Sequence, residues 1–267
     1  MNCEMPVRSE TLWLGYTAVA LPIWQELLGS IEVACLRISP VYRGLGVPHG
    51  DGSAVVVIPG LLSTDLHCLE FCGWLQRIGY RTYPSRVGLN ADCPNLLLPR
   101  VAETVENAFR FTGRRVHVVG HSLGGLLAYV LGVRMPEQIR SVITLSSPFR
   151  RIAAHPFVLA AALGVRSFIL KAHGKDVLPY CFTSACTCDF VRALNQEIPA
   201  SVRQIAVYTK ADGMVDWRSC ITGDPSRDYE VRSTHTGLIF NPIVYELVAR
   251  QLARASPRCW RRGDWLA

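Results

Sequence analysis

The stretch Arg115-Val-His-Val-Val-Gly-His-Ser-Leu-Gly124 passes from β-branched residues directly into a serine flanked by glycines. Arg115–Val119 is typical of a buried strand, and the residues from Ser122 to Met135 are predicted to form the helix that follows. The Gly-x-Ser-x-Gly pattern therefore lies at a strand-to-helix turn, which is the setting of a nucleophile elbow. In so tight a turn a bulky residue two places before or after the serine would collide with neighbouring elements, which explains both glycines.

Short β-branched runs alternate with longer helical patterns on both sides of this turn. Strands are predicted at 54–58, 81–83, 115–119, 141–145, 203–208 and 229–232, and helices at 64–78, 99–111, 122–135 and 238–252. This alternation is typical of an α/β protein with a parallel sheet and flanking helices. We predict one domain over residues 1–267, with residues 151–202 as an insertion between two sheet strands.

With this elbow and this alternation, the chain resembles the α/β-hydrolase superfamily, and within it the bacterial lipase and esterase branch. The similarity covers residues 50–150 and 203–255. The resemblance implies a mostly parallel sheet with helices on both faces and a helical lid in the insertion. It also implies a catalytic triad in the chain order serine, acid, histidine.

Ser122 is the candidate nucleophile and His235 the candidate base. A serine hydroxyl needs a base within hydrogen-bond reach, most often histidine. His235 follows the last predicted strand in Ser233-Thr-His-Thr-Gly237, where the family's base lies. His121 adjoins the serine, but its side chain is expected to point away along the elbow.

The acid of the triad should follow the penultimate strand, where Asp212 and Asp216 compete. Asp212 lies four residues past the end of the predicted strand, in a segment that resembles the acid loop of small lipases. It is the favoured acid, and it would orient the histidine and stabilise the imidazolium. Asp216 is expected to fix the loop or to cap the segment that begins at Trp217.

An oxyanion hole is implied by the fold, with one backbone N–H from the residue after the nucleophile and one from the loop after the first strand. These donors are Leu123 and Leu61. The chain has Pro59-Gly60 where the family often has His-Gly, a departure that alters local bonding of the loop without removing the Leu61 donor.

The insertion bears on the substrate. Pro156–Val165 is a run of ten uncharged, mainly apolar residues. As a lid helix it would cover a pocket for a hydrophobic acyl or alcohol group. The alternative is a core helix packed on the sheet, because runs of this length are commonly just buried.

The leading function is hydrolysis of small-molecule carboxylic esters through an acyl-enzyme intermediate. Thioester hydrolysis or acyl transfer would use the same triad. A non-catalytic hydrolase-like binding protein is the alternative of another class, and it would need none of the three triad residues. Dehalogenase and epoxide hydrolase chemistry need a carboxylate at the elbow, and Ser122 excludes them.

The composition of the chain excludes several classes of protein and of partner. A chain of 267 residues with 49% hydrophobic and 18% charged residues is neither disordered nor a coiled coil. The net charge of +7 is mostly dispersed, so no nucleic-acid partner is expected. No cofactor and no metal is expected, since Cys181, Cys186 and Cys188 lack zinc-ligand spacing. Most cysteines are expected to be buried thiols, with a disulfide from this cluster to Cys220 as the alternative.

The N-terminal region is predicted to contain a helix over residues 11–36. Trp24, Leu27 and Ile31 follow helical spacing, so this helix is expected to pack on the body. A membrane-surface anchor is the alternative, although such helices usually carry cations on the polar face. The uncharged run Thr11–Gln25 is too short to span a bilayer and makes a poor signal peptide. No stable membrane span is therefore expected, and a cytoplasmic location is the default expectation.

Overall fold

The computed structural model describes residues 17–178, 180–183 and 185–255. Its elements follow in chain order: β1 (Thr17–Ala18), α1 (Gly29–Ile38), β2 (Ala54–Ile58), α2 (Leu69–Arg77), β3 (Arg81–Pro84), α3 (Pro94–Thr112), β4 (Val116–His121), α4 (Leu123–Arg134), β5 (Ile139–Leu145), β6 (Ala153–Ala154), α5 (Pro156–His173), α6 (Asp189–Leu194), β7 (Arg203–Tyr208), β8 (Asp228–Glu230) and α7 (Pro242–Ala255). Short 3₁₀ helices precede α1, α2 and α7.

Six strands form the main sheet in the order β3-β2-β4-β5-β7-β8, and every neighbouring pair is parallel. The predicted parallel α/β architecture is confirmed. Because the carboxyl ends of parallel strands meet at one edge, the loops after β2, β4, β7 and β8 lie together. This edge carries the candidate site.

Side chains on alternate positions of each strand face opposite helical layers, as a two-residue period requires. Val56 and Ile58 pack in one core with α3, α4 and α6. Val55 and Val57 pack in the other with α2, α7 and the Leu36 side chain of α1. The central strands β2 and β4 are therefore buried on both faces, as the continuous apolar run of β2 requires, whereas the edge strands β3 and β8 are partly exposed.

Helix α3 begins at Pro94, five residues before the predicted start at Pro99. Pro94 occupies the first turn, where the N–H that proline lacks has no helical partner. Pro99 then lies inside the helix with an exposed side chain.

The helix predicted over residues 11–36 is wrong in its first half. Residues 11–16 lie outside the described part of the chain, and Thr17–Ala18 form a strand that pairs in parallel with Ala153–Ala154. A 3₁₀ helix covers Ile23–Leu28, and the α-helix runs from Gly29 to Ile38. The segment before Pro22 is extended because it pairs with β6 of the insertion. This tertiary contact outweighs the local helical pattern.

The orientation of this N-terminal segment also differs from the prediction. The apolar side chains of Trp24, Leu27 and Ile31 are 66%, 82% and 56% exposed. The side chains of Glu26 and Glu32 instead face the body and accept hydrogen bonds from loops at the carboxyl edge of the sheet. Backbone N–H groups that need acceptors, rather than apolar surface that needs covering, set this orientation.

The insertion predicted over residues 151–202 divides into two parts. β6 and α5 stand apart from the sheet layers, whereas Phe190, Ala193 and Ile198 are buried in the core formed with α3 and α4. The excursion is therefore shorter than predicted, because α6 completes one helical layer.

Candidate active site

Ser122 sits between β4 and α4 with φ 52° and ψ −121°, a conformation that side-chain-bearing residues rarely adopt. Strain of this kind is found where a side chain is forced into a functional position. A Cβ at Gly120 would lie 2.3 Å from the Gly124 carbonyl oxygen, and one at Gly124 would lie 2.4 Å from the Ile58 carbonyl oxygen. Both positions therefore require glycine, for the steric reason expected from the motif.

His235 and Asp212 form a buried pair beyond the ends of β8 and β7. The His235 Nδ1–H donates to Asp212 Oδ2 at 2.8 Å, and the two residues are only 2% and 1% exposed. Asp212 Oδ1 accepts from the backbone N–H groups of Met214 and Val215, both at 2.8 Å. The carboxylate is thus held by the chain on one side and holds the imidazole on the other.

The pair shifts both pKa values. Burial alone would lower the pKa of His235, but the charge of Asp212, their hydrogen bond and the charge of Glu26 outweigh it and raise that pKa. Burial alone would raise the pKa of Asp212, but the His235 charge and bond and the Val215 and Met214 N–H groups lower it. Asp212 therefore stays ionised at neutral pH.

Ser122 lies next to this pair through its neighbour in the chain. His121 Nε2–H donates to the His235 carbonyl oxygen at 2.9 Å, and the two rings lie 4.9 Å apart. The imidazole of His121 thus contacts His235, a contact that the expected orientation along the elbow did not include. Across the described residues no hydrogen bond joins the Ser122 hydroxyl to His235. The structure thus brings together two of the three triad candidates, and the third is linked to them through its chain neighbour His121.

Burial in this contact lowers the pKa of His121 to about 3, with a further contribution from the His235 charge. His121 is therefore neutral across the physiological range. It supports the backbone of His235 without competing for its proton.

The two residues whose backbone N–H groups are the candidate oxyanion donors line one cavity. Leu61 follows β2 and Leu123 opens α4, and both line a cavity together with Ser122. Within the described residues neither N–H donates to a protein acceptor. Unpaired donors at a helix start and in an adjoining loop suit a developing negative charge.

Asp216 is placed elsewhere. Its Oδ1 accepts from the Arg218 N–H at 3.1 Å and caps the 3₁₀ helix Trp217–Ser219, and its carboxylate lies 3.9 Å from Arg151. The carboxylate that reaches His235 is Asp212.

The cavity has a volume of about 360 Å³ and is lined mainly by apolar groups. Helix α5 contributes Val158, Leu159 and Ala162 to this lining. A cavity of this size suits a small molecule. Phe157, at the start of the same helix, is exposed.

Helix α5 bears on the membrane question as well. In the described ranges, Pro156–Asp176 is the one helical stretch long and apolar enough to cross a membrane, on length and composition alone. Its Val165 and Ile169 side chains are buried against Cys93 and Cys181. The absence of a stable span and the role of α5 as a lid stay predictions.

The cysteine prediction needs one correction. Cys181, Cys186, Cys188 and Cys220 are all free thiols, so the alternative disulfide from this cluster to Cys220 is wrong. Among the described residues no group of three or more histidine, cysteine or acidic side chains could hold a metal ion.

Sequence reasoning missed the two glutamates that support the site. Glu26 accepts from the backbone N–H groups of Gly213 and His235, and Glu32 accepts from the Thr234 hydroxyl at 2.8 Å. The one available signal was the presence of two acidic residues, Glu26 and Glu32, in a mainly apolar segment.

Comparison with known proteins matches this architecture. A model of the PGAP1-like alpha/beta domain family matches residues 97–162, which include the elbow. No protein with a curated description matches the sequence.

Solved structures share the fold at low identity. Aspergillus fumigatus lipase B is 17% identical with a TM-score of 0.55, over 78% of this chain and 55% of that one. The chain thus spans about half the length of that lipase. The mature form of Bacillus licheniformis lipase BlEst2 is 13% identical with a TM-score of 0.53, over 78% of this chain and 94% of that one. The chain has the α/β-hydrolase fold.

Proposed function

We propose that this chain is a serine hydrolase of carboxylic esters that carry a hydrophobic acyl or alcohol group. The observation that carries the proposal is the buried Asp212–His235 hydrogen bond of 2.8 Å, together with a serine held at positive φ whose chain neighbour His121 contacts His235. Binding alone would need neither the strained serine nor the ionised buried pair. Lipases with this fold support the reaction class by analogy.

In the proposed reaction the Ser122 oxygen attacks the ester carbonyl carbon while His235 Nε2 takes the hydroxyl proton. The carbonyl oxygen becomes an oxyanion that accepts from the Leu61 and Leu123 N–H groups. Collapse of the tetrahedral intermediate breaks the ester C–O bond, and His235 returns the proton to the departing alcohol. Water then attacks the acyl-enzyme by the same steps and releases the acid.

Asp212 supports both halves of this cycle. Because an ionised carboxylate only accepts hydrogen bonds, the His235 proton sits on Nδ1 and Nε2 is left free as the base. When Nε2 takes up a proton, the negative charge beside it stabilises the imidazolium.

The cavity supports an apolar substrate. Leu61, Leu123 and Phe149 line it from the body, and Val158 and Ala162 line it from α5. Each methylene moved from water into such a lining contributes about 0.8 kcal/mol. Longer acyl chains should therefore be preferred until the cavity is full.

A series of chromogenic esters and matched thioesters tests the proposal, with acyl chains of about two to about twelve carbons. The Ser122→Ala variant is the control. We expect ester turnover that depends on Ser122. Turnover confined to thioesters, or transfer to an added alcohol in preference to water, would support the thioesterase or acyltransferase alternative. No turnover of any acyl donor would support a binding protein.

Ala162→Phe should shorten the preferred chain. The added ring would occupy part of the cavity and exclude about two methylenes, worth about 1.6 kcal/mol and so roughly a tenfold loss of kcat/KM for long esters relative to acetate. Ala160→Phe is the matched control, because Ala160 is exposed on the same helix. Equal chain-length profiles for both variants, at unchanged Tm, would mean that α5 does not contact the substrate.

The pH dependence follows from the raised pKa of His235. The base must be neutral to accept the serine proton, so kcat/KM should fall as the pH drops through that pKa. The midpoint of this acidic limb should lie above the ordinary histidine value of about 6.5. A pH–rate profile of the wild type measures it, and a midpoint below the ordinary value would contradict the charge arrangement described for the site.

A further inference from the structure

Glu26 touches the loops of both buried triad candidates. Its Oε1 accepts from the backbone N–H of Gly213 and from that of His235, both at 3.0 Å. Its Oε2 accepts from the Thr236 N–H at 3.0 Å and from the Thr236 hydroxyl at 2.9 Å. Gly213 directly follows Asp212. One carboxylate therefore bridges the acid loop and the histidine loop.

Glu32, on the next turns of the same segment, holds the other side of the histidine loop. Its carboxylate accepts from the Ser233 hydroxyl, from the Thr234 N–H and hydroxyl, and from the Asn241 side-chain amide. All of these contacts lie within the His235 loop and its exit. Glu26 is thus distinguished from Glu32 by its additional bond to the acid loop.

The backbone of the two loops approaches the N-terminal segment too closely for side chains. A Cβ at Gly213 would lie 2.9 Å from Ile23 Cα, and one at Gly237 would lie 1.3 Å from Glu32 Oε2. Glycine at both positions lets the carboxylates reach the N–H groups directly. The contact between the N-terminal segment and the two loops therefore depends on residues of both partners.

We infer that Glu26 is a positioning residue of the hydrolytic site, whose carboxylate sets the placement of His235 relative to Asp212 by bonding to both loops at once. The inference rests on the proposed function for the roles of those two residues. Four donors converge on the carboxylate, and an ionised carboxylate has only acceptors to offer them. Glutamine would present an amide N–H₂ to one of the donors and lose at least one bond.

Glu26 also acts on His235 through charge. The groups that face the imidazole are Asp212 through a hydrogen bond, His121 through ring contact, and Glu26 beneath the backbone. His121 is neutral, so the two carboxylates supply the negative charge that raises the pKa of His235. Removal of the Glu26 charge should lower this pKa.

Glu26→Ala and Glu26→Gln test the inference, with Glu103→Gln as control because Glu103 is exposed on α3. Positioning errors near the reacting atoms cost up to about a hundredfold, so we expect kcat to fall about a hundredfold in Glu26→Ala and about tenfold in Glu26→Gln, with KM hardly changed. Active sites are counted by phosphonate titration, so that unfolded protein does not lower kcat.

The acidic limb of the pH–rate profile adds a readout that a purely structural role would not move. It should shift to lower pH in both Glu26 variants and stay in place in Glu103→Gln. Titration of His235 by NMR of histidine-labelled resting protein should show the same shift without any turnover. If Glu26→Ala does not fold, Glu26→Gln carries both measurements.

An unchanged kcat per active site together with an unchanged His235 titration in Glu26→Gln would overturn the inference, whatever happens to Tm. A wild type that hydrolyses no ester would instead refute the proposed function. The NMR titration would then still decide whether Glu26 acts on His235.

Discussion

Ser122→Ala and His235→Ala should each lower ester turnover by about three orders of magnitude or more. The serine supplies the attacking oxygen and the histidine removes its proton, so loss of either leaves no activated nucleophile. The double variant should be no worse than either single variant, because residues that act as a unit are not additive. Steady-state kcat/KM on the best chromogenic ester measures all three.

The fold should survive both substitutions. Alanine at position 122 keeps the backbone conformation that serine already adopts. In His235→Ala the Asp212 carboxylate still accepts from the Met214 and Val215 N–H groups. Tm and the far-ultraviolet circular dichroism spectrum are the checks on folding.

Ser201→Ala and His49→Ala are matched controls, since both residues are exposed and remote in sequence from the elbow. A serine-directed phosphonate should label Ser122 alone in the wild type and should not label Ser122→Ala. Full activity of Ser122→Ala, or labelling at another serine, would move the nucleophile elsewhere.

The parts of this fold that sequence could predict are those set by local pattern. β-Branched runs such as Ala54–Ile58 are buried on both faces of the sheet and carry their own signal. The glycines at 120 and 124 follow from the steric demands of one turn. The bond between Asp212 and His235 was predictable because the resemblance to α/β-hydrolases implies an acid after the penultimate strand and a histidine after the last one.

Local pattern did not predict the orientation of the N-terminal segment. Helical spacing of Trp24, Leu27 and Ile31 ordinarily marks a buried face, yet these side chains are exposed. The hydrogen-bond partners of Glu26 are distant in sequence. Gly213 lies 187 residues away and His235 lies 209 residues away. No local sequence pattern indicates that backbone N–H groups so distant in the chain need hydrogen-bond acceptors. The same holds for His121, whose contact with His235 spans 114 residues.

The second large effect should separate the two aspartates. Asp212→Asn should lower kcat by about three to four orders of magnitude. Because Oδ1 is occupied by the Met214 and Val215 N–H groups, the new amide would turn its N–H₂ toward His235 Nδ1. Nδ1 must then accept, the ring proton moves to Nε2, and the base is lost.

Asp216→Asn is the matched control, because its amide oxygen can still accept from the Arg218 N–H. Its ion pairs with Arg218 and Arg151 are long, at 3.4 Å and 3.9 Å, and involve exposed guanidinium groups. We therefore expect a small decrease in Tm and nearly unchanged kcat. The residual activity of Asp212→Asn should also show its acidic limb at lower pH, because the charge that raises the pKa of His235 is gone. A steep loss in Asp216→Asn with an active Asp212→Asn would assign the acid to the other loop position and leave the buried Asp212–His235 bond with a structural role.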